Sequence, residues 1–539
     1  MRDRMRSRYR LRMACLAVIT ACASGIASGI TSGIAGAQTL TVGLQIETTS
    51  IDPHFSTGNP SVSAARHLFD TLVHPDEQQH WHPGLALSWS AVSATEWEFR
   101  LRPGVRFHDG SAFTAEDVAF SLARAPDVPN APSGFGVFTK QITGITVVDP
   151  MTIRLRTDRA FPLMAEHLSA VGIVSRAANQ GMQTQDYNTG KAAIGTGPFR
   201  FVSWTPGDRL RLARNDIYWG RAPAWQEVVL RPISDDGARV AALLSGTVDV
   251  IDLVPTTAVR MLREKSSVTL AQTVTSRVIF VGVNVNPAPN PFVTDTAGAP
   301  LANNPFVDRR VRLAISKAIN RRALTEQVME GLAMPAGQLL PDGYPGTSPR
   351  LQPEPYDQAA ARILLAEAGY PRGFNLTLLV PRDRNASDVK IAEALAQMLA
   401  RIGVHTTLEA LPWSIAQPRY RRGEFALSLR GWGTETGEGS MALRSLLGTR
   451  DAARGWGMTN GGFYANPAMD ALLDQALSTL DATQREALVA QATELGMRDV
   501  GLIPLHYQVA IWGMRKGLTY KARSDSYTFA FEIRPTPAP

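Results

Sequence analysis

Histidine is the side chain most able to do chemistry at neutral pH, and the chain of 539 residues has nine. Only His74, His80 and His82 lie close together, and they stand beside Pro75 and Pro83. This stretch is expected to be a solvated loop rather than a metal site. The sequence has no HExxH pattern and no other helix-spaced pair of metal ligands. We therefore predict no metal.

Sequence motifs for nucleophilic catalysis and for nucleotide binding are also missing. There is no GxSxG elbow for a serine nucleophile, and no glycine-rich run ends in Gly-Lys-Ser or Gly-Lys-Thr. The segment 431–437 (GWGTETG) resembles a dinucleotide loop only loosely, because its spacing is one residue too long. The sequence therefore predicts a protein without cofactor and without catalytic activity.

The first 37 residues have the composition of a secretory signal peptide. Six arginines precede the apolar run MACLAVITAC, which is followed by small residues. Two processing sites compete: cleavage before Gln38, after Ala35-Gly36-Ala37, and a lipobox at 19–22 that would leave Cys22 lipidated. Cleavage before Gln38 is favoured, and either route predicts export, to the periplasm or to a lipid anchor at Cys22.

Removal of this leader changes the charge and the cysteine content. The full chain has a formal net charge of +7 and both of its cysteines, Cys15 and Cys22, lie in the leader. The remaining chain has 49 basic and 47 acidic residues and no cysteine. A nearly neutral chain has no electrostatic basis for binding nucleic acid, and without thiols it cannot use disulfides or thiolate ligands. Its length exceeds that of a single core, so at least two lobes are expected.

Strand-like runs alternate with amphipathic helices along the chain. Thr114 is a predicted N-cap, followed by acids in the first turn and apolar residues at helical spacing. Ile391, Leu395, Met398 and Ile402 form the apolar stripe of a second helix. Predicted strands lie at 39–45, 97–102, 374–380 and 404–411. This β-α-β order predicts an α/β fold with a largely parallel sheet and helices on its faces.

Several segments, in order along the chain, resemble one family. They are 101–110 (LRPGVRFHDG), 113–121 (FTAEDVAFS), 195–199 (GTGPF), 218–220 (YWG), 239–249 (RVAALLSGTVD), 307–321 (VDRRVRLAISKAINR), 366–370 (AEAGY) and 503–505 (IPL). The sequence thereby resembles the extracytoplasmic solute-binding proteins of ABC transporters, in the peptide and nickel class that includes the dipeptide- and oligopeptide-binding proteins. Most of these segments are typical of turns and packing, so they indicate the fold rather than the ligand contacts.

The resemblance implies an α/β, two-lobed periplasmic binding protein-like fold with an extra domain inserted in the first lobe. Residues 38–74, 186–286 and 505–539 would form lobe I, and residues 75–185 the extra domain. Residues 287–504 would form lobe II. Ligand binding would close the lobes by rotation about hinge segments.

The same resemblance implies ligand contacts in lobe II. The arginine that pairs with a peptide carboxylate in dipeptide-binding members corresponds to Arg382, and the acid that receives the amino group corresponds to Glu435. Trp432, Gly433 and Thr434 precede that acid and are expected at the ligand. Two differences stand out: the usual aspartate is Glu435 here, and Arg384 replaces an aromatic residue. The site is therefore expected to favour extra negative charge or a ligand other than a plain dipeptide.

The sequence thus predicts the binding component of an ABC importer that captures a small peptide or peptide-like solute and delivers it to permease subunits, as a monomer. Metal chelates, opines, oligosaccharides and glutathione-like thiols are alternative ligands in the same fold. A sensory role for the same binder is a further alternative. An exported hydrolase is the competing class of protein.

Overall fold

The protein is described from a computed structural model that covers residues 39–132, 134–434 and 436–536. The predicted signal peptide, Cys22, Gln38 and Glu435 lie outside the described residues. Residues from Thr39 onward form one compact unit. Within the described residues, no helix is both long enough and apolar enough to span a membrane.

The secondary structure alternates between strands and helices, with hairpins between them. The strands are β1 Thr39–Leu44, β2 Val73–Pro75, β3 Trp81–Pro83, β4 Ala86–Ser93, β5 Glu96–Leu101, β6 Ile142–Asp149, β7 Thr152–Thr157, β8 Phe199–Thr205, β9 Arg209–Arg214, β10 Glu227–Pro232, β11 Val250–Ile251, β12 Val268–Val283, β13 Val293–Thr294, β14 Ala333–Pro335, β15 Phe374–Pro381, β16 Val404–Leu411, β17 Leu427–Gly433, β18 Leu502–Arg515, β19 Leu518–Thr519 and β20 Arg534–Pro535. The helices are α1 Asn59–Arg66, α2 Ala115–Arg124, α3 Gly136–Thr139, α4 Met164–Leu168, α5 Arg176–Asn179, α6 Thr184–Asn188, α7 Asp236–Leu244, α8 Thr256–Arg263, α9 Arg309–Ala318, α10 Arg321–Ala323, α11 Gln358–Glu367, α12 Asp388–Ala400, α13 Trp413–Arg422, α14 Gly439–Leu446, α15 Pro467–Ser478 and α16 Ala482–Arg498.

The local signals read from the sequence are confirmed at α2, β15 and β16. Thr114 caps α2 in a capping box, and its backbone N–H donates to Asp117 Oδ2 at 2.8 Å. β15 and β16 pair in parallel from Phe374 opposite Val404 to Pro381 opposite Leu411, with α12 connecting them. The helix buries Ile391 and Leu395, as its apolar stripe predicts.

The prediction of a largely parallel sheet is wrong. Twelve strands form one mixed sheet in the order β13-β15-β17-β12-β18-β11-β1-β10-β9-β8, with β14 on β18 and β16 on β15. Within the residues that the structure describes, parallel pairing is confined to β1 with β10 and β11, and to β15 with β16 and β17. The other pairs are antiparallel, because short turns such as the one between β8 and β9 allow hairpins that β-α-β connections do not.

The histidine-rich stretch forms a hairpin and not the loop that the sequence predicts. β2 and β3 form a hairpin in which His74 lies opposite His82. The exposed rings of His80 and His82 both contact Asp76 Oδ2, at 3.2 and 3.1 Å. No group of three or more His, Cys, Asp or Glu side chains in the described ranges is arranged to hold a metal ion.

The long strands β12 and β18 join the two halves of the large sheet. They pair from Val268 opposite Arg515 to Gly282 opposite Leu502, with a register shift between Val274 and Val278. On one side β17 adds to β12, and on the other β11 adds to β18. The two groups of parallel strands are therefore connected through two continuous antiparallel strands.

Separate apolar cores support these halves. One contains residues of β1, α1, β10 and the end of β18, and another contains residues of α9, α12, β15, β16 and β17. A third core lies under the small sheet β4-β5-β7-β6, with α2 packed on it. Met441 of α14 belongs to this third core although it is distant in sequence, so α14 contacts the small sheet's core.

Candidate functional site

The predicted ligand residues that the structure describes lie at or just after the carboxyl ends of β15 and β17, next to the end of β16. β15, β16 and β17 point in the same direction and end at Pro381, Leu411 and Gly433. The carboxyl ends of parallel strands in α/β sheets form a crevice in which ligands commonly bind. The sequence did not predict this juxtaposition directly, because the strand order β15-β17 skips β16 in the chain.

Arg382 and Arg384 lie at the end of β15. Arg382 is exposed. Its backbone N–H donates to the carbonyl oxygen of Leu411 at 3.0 Å, and this hydrogen bond connects the ends of β15 and β16. The Arg384 guanidinium lies 5.1 Å from the ring centroid of Trp413, the first residue of α13. Both cations are therefore held at the same edge of the sheet, with Arg382 free to extend into solvent.

Arg430 adds a third cation at this edge that sequence reasoning missed. It is on β17 and only 7% exposed, and its guanidinium lies 4.7 Å from the Trp413 ring and 3.9 Å from the Tyr420 ring. Burial lowers the pKa of Arg430 to about 10, and the nearby charge of Arg384 acts in the same direction. The aromatic rings stabilise the buried charge by cation–π interaction. Because side chains alternate between the two faces of a strand, the sequence of β17 places Arg430 on the same face as Trp432. The burial of Arg430, however, follows only from the tertiary structure.

The end of β17 and the residue after it contact the opposite side of the crevice. Trp432 is half-buried and packs against the small-sheet core and against the core around α14 to α16. Thr434 is buried, and its carbonyl oxygen accepts a hydrogen bond from Gln79 Nε2 at 3.3 Å. Gly433 is half-buried between them. Glu435, the predicted partner of an amino group, lies outside the described residues.

Glu438, three residues after Glu435 in the sequence, has a structural role. Its carboxylate accepts from the backbone N–H groups of Ser440 at 2.6 Å and Met441 at 3.1 Å. It therefore caps the start of α14 and satisfies amides that the helix itself leaves open. Its carboxylate is occupied by this cap.

A cavity lies beside Gln79 on the opposite side of the crevice. Its internal volume is about 20 Å³, which is room for about one water molecule. The cavity is lined by Thr57, Val62, Arg66, Pro75, Gln79, Phe135, Phe138, Ser169, Ala170, Asp525 and Tyr527. Gln79 also accepts a hydrogen bond from the Tyr344 hydroxyl at 3.4 Å. This one side chain thus borders the cavity and contacts two segments across the crevice.

Arg66, at the end of α1, is the cation of this cavity and was also missed from the sequence. Its guanidinium donates to Thr71 Oγ1 at 2.8 Å and to the carbonyl oxygen of Ser169. Burial lowers its pKa, and Tyr527, Asp525 and Asp70 offset part of that effect. The only sequence signal was its place at the end of an amphipathic segment, which more often indicates a solvated face.

A buried ion pair supports the wall behind this cavity. Arg124 of α2 donates to Asp52 Oδ2 at 2.6 Å and to Asp52 Oδ1 at 2.8 Å. The same guanidinium lies 2.9 Å from His54 Nδ1. Burial and the charge of Arg124 lower the pKa of His54 to about 4, so the ring is neutral at physiological pH. The charges here are balanced within the protein, whereas Arg382 and Arg384 at the strand ends are exposed.

The arrangement is therefore suited to binding an anionic or zwitterionic solute. Guanidinium groups lie on both sides of the crevice, together with aromatic rings and backbone carbonyls. In a comparison with protein families, the family of bacterial extracellular solute-binding proteins, family 5 (middle region), matches residues 80–454, well over half of the chain. The chain belongs to this family. The family prediction made from the sequence motifs is confirmed.

Characterised relatives of this solute-binding protein extend over nearly its whole length. The glutathione-binding protein GsiB of Pectobacterium atrosepticum is 28% identical over 90% of this chain and 91% of the relative. The corresponding protein of Escherichia coli strain K12 is 26% identical over 92% of this chain and 94% of the relative. The resemblance is thus to whole solute-binding proteins, not to a single segment.

Solved structures confirm the α/β periplasmic binding protein fold. The periplasmic binding protein DppA of Helicobacter pylori, in complex with the peptide STSA, has a TM-score of 0.75 and 26% identity, covering 92% of this chain and 98% of that one. HbpA2 of Haemophilus parasuis has a TM-score of 0.79 at 23% identity, covering 92% and 100%. These structures support a lobed α/β protein of the family, whose members bind solutes and are not catalysts.

Proposed function

We propose that this family 5 protein captures a small peptide or peptide-like solute in the crevice and delivers it to the permease subunits of an ABC importer, without catalysing a reaction. Relatives that bear the names of glutathione- and peptide-binding proteins support a peptide-like ligand. A solute held from both sides favours the closed arrangement by its differential affinity, and the permease would recognise that arrangement.

The observation that carries the proposal is the meeting of three strand ends with Gln79 on the opposite side of the crevice. Arg382 and Arg384 extend from this edge, and Thr434 touches Gln79, which borders the cavity. A ligand placed here would contact both halves of the protein. Clefts between domains, lined by aromatic groups with a few convergent polar groups, are a usual form of small-molecule site.

Within this site we propose that Arg382 binds the terminal carboxylate of the solute and that Glu435 accepts from its ammonium group. Guanidinium binds a carboxylate in bidentate geometry. Trp432, Gly433 and Thr434 would contact the solute between these ends, and Arg384 would add positive charge. At roughly 1.5–3 kcal/mol for each charge-assisted bond, the two ends supply about half of the ~8 kcal/mol that micromolar binding requires.

We propose the lobe boundaries implied by the family. Lobe I comprises 38–74, 186–286 and 505–539, the extra domain comprises 75–185, and lobe II comprises 287–504. Two separate apolar cores and the small sheet with its own core support this division. We further propose a monomer exported to the periplasm after removal of residues 1–37.

A thermal-shift screen of the mature chain tests the function. The panel contains di- and tripeptides, glutathione, opines, nickel chelates and oligosaccharides. A peptide-like solute should raise the melting temperature in proportion to RT ln(1 + [L]/Kd). Stabilisation by a sugar or chelate but by no peptide would contradict the peptide proposal. Addition of the liganded protein to permease-containing vesicles should stimulate their ATPase activity. A protein that binds without this stimulation would indicate sensing instead of import.

A further inference from the structure

Arg384 is an exposed cation beside the residue assigned to the solute carboxylate. It lies two residues after Arg382 in the segment that follows β15, so the two Cα atoms are at most about 7 Å apart. Its guanidinium lies 5.1 Å from the centroid of the Trp413 ring. This contact orients the side chain but leaves its five N–H donors available to an acceptor.

The acids whose charges act on Arg384 are engaged by neutral donors. Asp383 Oδ1 accepts from the backbone N–H of Trp413 at 2.7 Å. The buried carboxylate of Asp388 accepts from the backbone N–H of Asn385 at 2.7 Å and from Asn385 Nδ2 at 3.1 Å. These acids offset part of the positive charge. Among the residues that the structure describes, however, no carboxylate forms an ion pair with Arg384.

Arg430 adds a second positive charge near the same ring. Its guanidinium lies 4.7 Å from the Trp413 centroid and that of Arg384 lies 5.1 Å from it, so the two cations are at most about 10 Å apart. Arg430 is only 7% exposed, and no carboxylate of the described residues forms an ion pair with it. With a pKa of about 10, it is a cation at neutral pH. An anion at Arg384 is therefore attracted by both charges.

The segment that carries Arg384 also borders the residues assigned to the solute. Asn385 lies against Gly431, because a Cβ atom on this glycine would be 2.5 Å from Asn385 Oδ1. Gly431 directly precedes Trp432 on β17. Arg382, Arg384 and Trp432 therefore border one part of the crevice. A solute whose carboxylate binds Arg382 has the Arg384 guanidinium as a neighbour.

We propose that Arg384, supported by the charge of Arg430, binds the side-chain carboxylate of an acidic residue at the carboxyl end of the solute. The α-carboxylate of that same residue would bind Arg382. The two carboxylates of one glutamate or aspartate are separated by a short carbon chain, so guanidinium groups two residues apart can hold both. The preferred class is then a small peptide that ends in Glu or Asp. This inference rests on the proposed function for the place of the α-carboxylate, and it adds the type of the last residue.

Dipeptides of the same composition separate this proposal from a general attraction of anions. Ala-Glu and Glu-Ala have the same net charge, but only Ala-Glu carries both carboxylates on its last residue. Ala-Gln has the same shape as Ala-Glu and a neutral side chain. In isothermal titration of the mature chain, Ala-Glu should bind about 10- to 100-fold more tightly than either of the others, as expected for one charge-assisted contact.

Variants assign this preference to the two cations. In Arg384→Gln the preference for Ala-Glu over Ala-Gln should fall to about twofold or less, and Arg384→Lys should retain part of it. Arg430→Met places an apolar side chain against the same rings and should reduce the preference by about two- to tenfold. The matched control is Arg372→Gln, because Arg372 is an exposed arginine before the amino end of the same strand, β15. This control should leave the preference unchanged.

Three results would overturn the role of Arg384. Equal binding of Ala-Glu and Ala-Gln by the unmodified protein would do so, while leaving peptide binding intact. Equal binding of Ala-Glu and Glu-Ala would show a general attraction of anions instead. A preference that persists in Arg384→Gln would place the recognition elsewhere. A purely structural role of the contact with Trp413 predicts that Arg384→Gln weakens Ala-Glu and Ala-Gln equally, which would also contradict the proposal.

A pair of compounds without a free amino group distinguishes failure of this inference from failure of the proposed function. N-acetylglutamate has the same two carboxylates as the last residue of Ala-Glu, and N-acetylglutamine lacks one of them. Binding of N-acetylglutamate alone, without any of the dipeptides, would support the paired arginines and contradict peptide capture. If none of the five compounds binds, the inference is overturned.

Discussion

Gln79 should stabilise the arrangement in which the two sides of the crevice are in contact. It is 5% exposed, and its amide donates to the Thr434 carbonyl at 3.3 Å and accepts from the Tyr344 hydroxyl at 3.4 Å. Replacement by methionine keeps the side-chain length but removes both hydrogen bonds. The backbone at Gln79 is left-handed, with φ of 66°, so methionine faces the same conformational cost as glutamine.

The expected effect follows from the geometry of these two bonds. A neutral hydrogen bond contributes about 0.5–1.5 kcal/mol, and these distances are at the long end of the usual range. Taking about 0.5 kcal/mol for each gives about 1 kcal/mol, which is roughly a fivefold shift away from the joined arrangement. If the solute binds only that arrangement, and the free protein populates it as the minor state, its Kd rises by up to the same factor.

Isothermal titration with the ligand found by the screen measures this shift in Gln79→Met. Gln78→Met is the matched control, because Gln78 is the exposed neighbour on the same turn. Urea unfolding of both variants checks that the folded state is retained. An unchanged Kd in Gln79→Met, with normal unfolding, would refute the view that Gln79 links the two sides during binding.

Three other outcomes are expected. Arg382→Ala should weaken binding of a ligand with a free carboxylate by about 10- to 100-fold, measured by titration. The control is Arg401→Ala, which replaces an exposed arginine just before β16 and should leave binding unchanged. Arg312→Met should lower the free energy of unfolding in urea by about 3–5 kcal/mol, because this 5%-exposed arginine donates to four backbone carbonyls. The control is Arg322→Met, which alters an 82%-exposed side chain and should change the free energy of unfolding by less than about 1 kcal/mol. Stability should fall between pH 7 and pH 5. Burial lowers the pKa of six histidines to about 3 or 4 in the folded protein, whereas the same side chains in the unfolded chain are protonated near pH 6.5. Each histidine therefore lowers the free energy of unfolding at pH 5 by about 2 kcal/mol. Six carboxyl groups with raised pKa values act in the opposite direction and offset part of this loss. The pKa values of Glu166, Asp252 and Asp388 are raised to about 7, 6 and 6, and burial also raises those of Asp70, Asp117 and Glu532. Urea midpoints at the two pH values measure the balance, and equal midpoints would contradict it.

The sequence predicted the local elements well where local interactions determine them. The Thr114 cap, the alternating strand 374–380 and the stripe of α12 depend on neighbours within a few residues, and the structure confirms each. The parallel character of the sheet was overestimated. Hairpins such as β8–β9 and the central pair of β12 with β18 depend on which distant strands meet, which periodicity does not encode.

The residues of the candidate site also divide into those that the sequence predicted and those that only the structure revealed. The family resemblance drew attention to Arg382 and to residues 432–435, because motif spacing is a property of the chain. Arg430 and Arg66 were missed, since an isolated arginine gives no signal of burial. Gln79 was missed for a related reason: its partners are 355 and 265 residues away in the sequence.

The sequence by itself determined the family, the α/β class and the segments that form strands and helices. It did so because hydrophobic periodicity, capping and motif order are local or sequential properties. The tertiary structure decided which strand ends share an edge, which cations are buried, and that Gln79 lies between the cavity and the strand-end segment. Those facts depend on contacts between distant parts of the chain, and the free energy of burying a charge exists only after those contacts have excluded water.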